Sequence, residues 1–147
     1  MEWITKKYEE LTVDELYDIL WLRAEIFVVE QDCVYQDLDG KDKKSVHLFL
    51  KDDKGEIIAC LRMIPAGISY EEPSIGRFVV KESERLKGYG RKSMELAIEY
   101  IRNEFHSTKI RLSGQAYLKE FYESLGFKVV KGTYLEDGIP HYEMLKE

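Results

Sequence analysis

A glycine-rich turn between a short apolar strand and an amphipathic helix constrains this chain more than any other feature. It lies within Ile75–Glu99, where the strand residues Phe78-Val79-Val80 are followed by Arg85-Leu86-Lys87-Gly88-Tyr89-Gly90 and the helix. The first N–H groups of a helix have no internal partner and lie at the positive end of the helix dipole, so an anion can bind there. The glycines let a ligand approach the main chain closely.

Three basic side chains, Arg85, Lys87 and Arg91, lie in the same turn, and we call residues Arg85–Arg91 the glycine loop. Their charge next to a helix start indicates a site for a diphosphate. The sequence is neither the G-x-x-x-x-G-K-[ST] pattern of a nucleotide P-loop nor the G-x-G-x-x-G pattern of a dinucleotide fold. On this pattern alone, an ordinary turn remains the alternative.

The composition indicates one soluble domain that spans residues 1–147. Of the 147 residues, 44% are hydrophobic and 34% are charged, which is ordinary for a globular domain with its own core. The net charge is −6 and the basic residues are scattered, whereas nucleic-acid binding calls for a clustered basic face. We therefore expect no nucleic acid partner. An anionic cofactor, alongside a cationic second substrate, fits this balance better.

Neither the cysteines nor the hydropathy point to a metal, a membrane or secretion. Cys33 and Cys60 are the only cysteines, and no Cys or His cluster has zinc-ligand spacing. The segment that starts at Asp37 lacks the glycine and glutamate that a calcium-binding EF-hand loop needs at its sixth and twelfth positions. No segment has the apolar length of a signal peptide core or a membrane span. We expect a cytoplasmic protein without a metal.

Hydrophobic periodicity predicts the order strand, helix, strands, helix, strand, helix and strands, hence an α/β protein with a mixed sheet. Thr12 and Glu15 have the spacing of a capping box, which predicts a helix start near Thr12. The polar stretch 32–45 predicts a long loop, and the helix after the glycine loop is expected to end near Asn103. The predicted strands are Trp3–Tyr8, Val46–Leu50, Ile57–Ile64, Ser74–Val80, Lys109–Leu112, Phe127–Val130 and Tyr142–Leu145.

A second motif, Phe121-Tyr122-Glu123-Ser124-Leu125-Gly126-Phe127, lies downstream of the glycine loop. The surrounding residues Tyr117–Leu125 predict a short amphipathic helix that ends at Gly126. From these residues alone, Tyr122 is either one more core aromatic or a functional hydroxyl.

Together, R-x-x-G-x-G at Arg85–Gly90 and F-Y-x-x-L-G-F at Phe121–Phe127 resemble the two signatures of the GNAT N-acetyltransferase superfamily, in the expected order. The similarity runs from about Leu16 to Met144. Where its ElaA-like branch usually has Ala-Gln-Ala-His, this chain has Gly114-Gln115-Ala116-Tyr117, so that histidine has no counterpart. The other segments that resemble this branch are Leu22-Arg23, Phe27–Gln31, Tyr35-x-Asp37-x-Asp39-Gly40, His47, Ile75-Gly76-Arg77 and Tyr134–His141.

The resemblance implies a GNAT-like acyl-CoA N-acyltransferase fold, with a mostly antiparallel sheet that splays at the cofactor site and carries flanking helices. It also implies acetyl-CoA as the co-substrate. In that superfamily, backbone N–H groups of the splayed strand are free to bind the thioester carbonyl. The expected cofactor-binding residues are Phe78, Val79, Val80, Arg85, Leu86, Lys87, Gly88, Tyr89, Gly90, Arg91 and Tyr122.

Acetyl transfer to an amine needs a base, a stabilised oxyanion and an acid for the departing thiolate. The resemblance makes Tyr122 the acid. His141 and Glu30 are the candidate bases. Histidine suits this role because its ordinary pKa is near 6.5. The alternative for His141 is a structural role in which it is only hydrogen-bonded. Arg23 and Arg77 are expected to pair with carboxylates, since an apolar surface rarely tolerates an unpaired arginine. The candidate substrate-binding residues are Glu30, Gln31, Asp37, Asp39 and Arg77, although a charge-rich loop can also be merely solvated.

We therefore expect an N-acetyltransferase that moves an acetyl group from acetyl-CoA to a primary amine of a small molecule or peptide. Direct attack in a ternary complex is favoured, because Cys33 has no assigned base that would make it a nucleophile. The alternatives are a non-catalytic acyl-CoA-binding or sensing domain and a nucleotide-binding regulator, although the Lys-Ser/Thr pair of the latter is missing. A homodimer is compatible with the sequence, but no apolar surface stripe demands one.

Overall fold

The chain folds in the element order that the periodicity predicts. The structure, a computed structural model, describes all residues from Met1 to Glu147. Seven strands and three α-helices follow one another: β1 (Glu2–Lys7), α1 (Val13–Arg23), β2 (Val46–Lys51), β3 (Ile57–Ile64), β4 (Ser74–Val80), α2 (Tyr89–Glu104), β5 (Ile110–Gln115), α3 (Lys119–Ser124), β6 (Phe127–Glu136) and β7 (Ile139–Lys146).

The strands form two antiparallel sheets that splay apart, which confirms the predicted fold. The first sheet has the order β1-β2-β3-β4 and the second has the order β5-β7-β6. A backbone hydrogen bond of 3.0 Å from Arg111 to Pro73 joins the start of β5 to the chain just before β4. Beyond this bond, β4 and β5 share no ladder, so a cleft opens between them.

Helices cover both faces of the first sheet. Helix α1 packs through Ile19 and Leu22 against β2, β3 and β4 in one apolar cluster, while α2 and α3 share a larger cluster on the other face. Alternate residues of a strand point to opposite faces, which is why β2 and β3 supply both clusters. No helix of the structure combines the length and the apolar character that a membrane span requires.

Several element ends differ from the sequence prediction. Helix α1 continues into Ala24–Glu30 as wider π-type turns, with bonds such as Gln31 N–H to Ile26 C=O at 3.1 Å. Strands β6 and β7 are both longer than predicted, because Asp137 and Gly138 (φ 53° and 78°) close a tight hairpin. Asp-Gly is a preferred pair for such a turn, so the sequence carried this signal.

The predicted capping box starts α1. The Thr12 hydroxyl accepts a hydrogen bond from the Glu15 backbone at 3.0 Å, and the Glu15 carboxylate accepts one from the Thr12 backbone at 2.9 Å. Lys6 also donates to Glu15, at 2.8 Å, and Lys51 at 3.3 Å. Burial alone would raise the pKa of Glu15, but these bonds outweigh it and lower the pKa to about 2.

Replacing Glu15 by glutamine should therefore destabilise the fold by about 2 kcal/mol at neutral pH, because the carboxylate is bound more tightly than its amide. A carboxyl group with a depressed folded pKa contributes its full stability above its unfolded pKa and loses it as the pH falls towards about 2. Urea unfolding at several pH values measures the difference. Glu9→Gln, at an exposed position, is the control. A difference in the free energy of unfolding between wild type and Glu15→Gln that stays constant down to pH 2.5 would contradict this account.

Candidate active site

A cavity of about 450 Å³ occupies the cleft between β4 and β5. Its walls come from those two strands, the glycine loop, the start of α2, helix α3, the π-type turns and the β6–β7 turn. Every residue predicted from the resemblance to contact the cofactor lines this cavity, with the exception of Lys87.

The glycine loop presents free backbone N–H groups. Gly88 has φ 84° and precedes α2, and the first bond into the helix runs from Lys92 N–H to Gly88 C=O at 3.1 Å. The N–H groups of Tyr89, Gly90 and Arg91 therefore have no helical partner. A side chain at Gly90 would come within 3.1 Å of the Phe78 ring, so glycine allows α2 to start directly against β4. The residues present fit a bound diphosphate.

The basic residues of the glycine loop already have partners in the protein. Arg85 lies 2.9 Å from Glu30 and also donates to the Val80 carbonyl at 3.0 Å. Lys87, which does not line the cavity, pairs with Glu84 at 2.7 Å. An incoming anion would therefore be bound mainly by the N–H groups, with the basic side chains adding charge around it.

Strand β4 carries a bulge where the cavity begins. Cys60 pairs with Val79 and Arg62 pairs with Gly76, so two residues of β4, Arg77 and Phe78, lie opposite Leu61 alone. Arg77 has a positive φ of 48°, which marks the bulged position. The bulge bends the strand as it diverges from β5.

The backbone of Val80 faces the cavity. Lys81 N–H donates to the Ile58 carbonyl at 2.8 Å, and hydrogen-bonding residues alternate along an antiparallel strand. The Val80 N–H group therefore points away from β3, towards the open side of β4.

Tyr122 lies in the inner wall of the cavity. Its ring packs edge-on against Phe121 and Phe127 and lies over Gly114, where an added Cβ would come within 2.6 Å of the ring. Burial raises the pKa of Tyr122 well above that of a free phenol, so the hydroxyl stays protonated. No hydrogen bond within the protein contributes to this shift, which leaves the hydroxyl available to a ligand.

His141 reaches the cavity from the other face of the second sheet. It pairs across the ladder with Gln115, the neighbour of the Gly114 on which Tyr122 packs. Side chains of cross-strand partners share a face and successive residues alternate, so His141 and Tyr122 lie on opposite faces of this sheet. Both line the same cavity because β5 is the edge strand at the cleft.

The His141 ring is held by its backbone and its neighbours. Nδ1 lies 2.7 Å from the Ile139 carbonyl oxygen, and the ring stacks on Tyr134 at 6.2 Å between centroids. Nε2 lies 3.5 Å from a carboxylate oxygen of Glu136. Sequence reasoning missed Glu136, although an Asp-Gly hairpin at 137–138 would have brought Glu136 and His141 to the same end of the ladder.

The predicted substrate-binding carboxylates lie away from the cavity lining. Asp37 and Asp39 instead belong to a partly buried cluster of alternating charge that we call the arginine–aspartate cluster, and Glu30 is paired with Arg85. Of the other predicted residues, Gln31 and Arg77 line the cavity, and Gln31 exchanges amide hydrogen bonds of 3.1 and 3.3 Å with Gln115. The members of the cluster are Arg23, Arg62, Arg77, Asp37, Asp39 and Asp42.

Arg23 is the centre of this cluster and is only 1% exposed. It lies 3.0 Å from Asp37 and 2.7 Å from Asp42, which confirms the predicted pairing of this arginine with carboxylates. Burial acts to raise the pKa of Asp42, but Arg23 and Arg62 hold it below its ordinary value. Asp42 is therefore ionised throughout the neutral range.

Arg77 joins the cluster to the cavity wall. Its guanidinium donates to the Asp37 carbonyl at 2.8 Å, lies 3.4 Å from Asp39 and stands over the Tyr35 ring at 5.7 Å. Tyr35 lines the cavity and donates to Asp37 at 3.0 Å. Arg77, Tyr35 and Asp37 thus hold the bulge of β4 against the 32–45 loop.

Comparison with known proteins agrees with this geometry. The family model described as an acetyltransferase (GNAT) domain matches residues 6–147. The chain belongs to the GNAT acetyltransferase family. A UPF0039 protein of Schizosaccharomyces pombe is 46% identical over 148 residues, covering 100% of this chain and 97% of that protein.

Solved structures resemble this GNAT protein over its whole length. An acyl-CoA N-acyltransferase from Pseudomonas aeruginosa is 38% identical, with a TM-score of 0.93 and 100% of both chains covered. Escherichia coli ElaA is 36% identical, with a TM-score of 0.92 and 99% of both chains covered. This is an ElaA-like GNAT acyltransferase, and the fold of this family generally binds acyl-CoA.

Gly88→Ala should weaken CoA binding roughly fivefold, because an alanine is disfavoured at φ 84° by about 1 kcal/mol, so the free loop shifts away from the conformation that presents the N–H groups. Calorimetric titration with CoA measures the affinity. Gly55→Ala is the matched control, since Gly55 also has open space and a φ of 79°, but it lies in the β2–β3 turn. Equal CoA affinity in the two variants would contradict the assignment of the glycine loop.

Proposed function

We propose that this GNAT protein transfers an acetyl group from acetyl-CoA to a primary amine, by direct attack while both substrates are bound. The observation that carries the proposal is that Tyr122 and His141 line one cavity from opposite faces of the second sheet. An acid for the leaving group and a base for the amine are needed on the two sides of a thioester. This arrangement supplies one group to each side.

We assign acetyl-CoA to the face of the two sheets on which α2 and α3 pack. Its pyrophosphate would bind the free N–H groups of the glycine loop, and its thioester would lie between β4 and β5. The Val80 N–H group, which points to the open side of β4, is the proposed donor to the oxyanion. One such donor is typically worth about 3 kcal/mol in the rate.

The base is assigned to His141 rather than Glu30. Since a carbonyl oxygen only accepts hydrogen bonds, the Ile139 carbonyl 2.7 Å from Nδ1 requires the proton on that nitrogen. The neutral ring then keeps its lone pair on Nε2, which is the form a general base needs. Glu30 lies outside the cavity lining and is paired with Arg85, which makes it a weaker candidate.

The acid is assigned to Tyr122. Burial keeps its hydroxyl protonated, and burial in the same cavity raises the pKa of a departing thiol as well, so proton donation to sulfur remains feasible. The amine nitrogen bonds to the carbonyl carbon, the C–S bond breaks, and the sulfur takes the Tyr122 proton. Of the two protons lost by the ammonium nitrogen, one replaces the Tyr122 proton and one leaves to solvent.

Tyr122→Phe should lower kcat by about a hundredfold while CoA still binds, because the variant removes only the proton donor. Amine-dependent release of free thiol from acetyl-CoA measures turnover, with polyamines, aminoglycosides, amino acids and peptides as acceptors. Tyr100→Phe, which removes a hydroxyl remote from the cavity, is the control. Unchanged turnover in folded Tyr122→Phe would remove this residue from the mechanism, and CoA binding without turnover of any amine would favour an acyl-CoA sensor.

A further inference from the structure

We propose that Glu136, together with Ser113 and His141, forms the site that binds the acceptor amine as its ammonium cation. This inference rests on the proposed function, since it specifies the acceptor side of the same cavity. All three residues line that cavity, on the face of the second sheet away from Tyr122. Glu136 is thereby an acceptor-binding residue.

The hydrogen bonding of His141 and Glu136 is incomplete. His141 is 6% exposed, and its Nε2 has the Glu136 carboxylate at 3.5 Å as its nearest charged partner, beyond a good hydrogen bond. With the proton on Nδ1, this pair consists of two acceptors that face each other without a donor between them. Ser113 donates to the other carboxylate oxygen at 3.1 Å and fixes its orientation. A primary ammonium has three N–H donors and satisfies both acceptors at once.

The charges around the cavity favour a cation at this position. The carboxylates of Glu30 and Glu84 are paired with Arg85 and Lys87 beside the glycine loop. Glu136 has no lysine or arginine partner, and its only ion pair is with His141. Asp137, which follows it in the hairpin turn and also lines the cavity, adds a second carboxylate without an ion pair. The acceptor side is therefore anionic.

The same contacts give the ammonium a route to the free amine. One N–H of the bound ammonium points to Glu136 and another to His141 Nε2, which takes that proton. The carboxylate then faces an imidazolium instead of an ammonium, so the positive charge stays beside Glu136 as the proton moves. The neutral amine is left at the edge of β5, where the cleft opens towards Val80 and the thioester.

NMR titration of the CoA-bound protein tests the site directly. The chain has three histidines, so His141→Gln identifies the His141 ring signals. We expect 1,4-diaminobutane to shift these signals saturably, 1,4-butanediol to leave them unmoved, and Glu136→Gln to weaken the diamine at least tenfold. Glu143→Gln is the control, because Glu143 lies on the same strand face but is paired with Arg111 at 2.8 Å.

The outcomes separate this inference from the proposed function. The ammonium site would be overturned if the diamine bound equally well to wild type and Glu136→Gln. It would also be overturned if the His141 signals did not respond to the diamine. Both conclusions hold whether or not the protein turns over acetyl-CoA. Saturable binding that depends on Glu136, in a protein that releases no thiol with any amine, would support the ammonium site and refute the transferase. In an active enzyme, Glu136→Gln should raise the KM for the amine about tenfold and leave the KM for acetyl-CoA within twofold.

Discussion

The arginine–aspartate cluster is the constraint on which the cavity depends. Three guanidinium groups, from α1, β3 and the β4 bulge, meet three carboxylates of the 32–45 loop. Four of these six groups are buried, namely Arg23, Arg62, Asp37 and Asp42. Buried charges are costly unless they are paired, so removing one of these four leaves its partner charged and without a counter-ion. The loop has almost no regular structure of its own, and these ion pairs fix it against the sheet. They thereby set the position of Tyr35 and of the bulge at which β4 leaves β5.

Local patterns predicted the element order and the glycine loop, because both depend on short segments, whereas the fold and the expected cofactor-binding residues came from the family resemblance. The glycine loop, the strand before it and the capping box at Thr12 are contiguous motifs whose physics is complete within a few residues. The helix that carries Tyr122 is also a contiguous motif, but the expected role of Tyr122 as the acid came from the family resemblance. The cavity lining includes ten of the eleven residues expected at the cofactor, although their contacts with acyl-CoA remain predictions.

The arginine–aspartate cluster depended on pairings between distant segments, which the sequence does not encode locally. Nothing near Asp37 or Asp39 indicates that Arg62, more than 20 positions away, would reach this loop and engage its carboxylates. Glu136 was missed because strand β6 was predicted to end at Val130, whereas the Asp-Gly turn extends the β6–β7 ladder and brings Glu136 beside His141. The hydrophobic pattern also could not distinguish an α-helical end from the π-type turns at Ala24–Glu30.

In the proposed function, the placement of Tyr122 and His141 on opposite faces makes the second sheet a partition between the two substrates. A donor and an acceptor that approach from different sides do not compete for one opening, and each can leave without displacing the other. The two sides are joined by the cleft between β4 and β5, which share no ladder. A compound that joins CoA covalently to an amine would therefore have to pass its linker through this cleft.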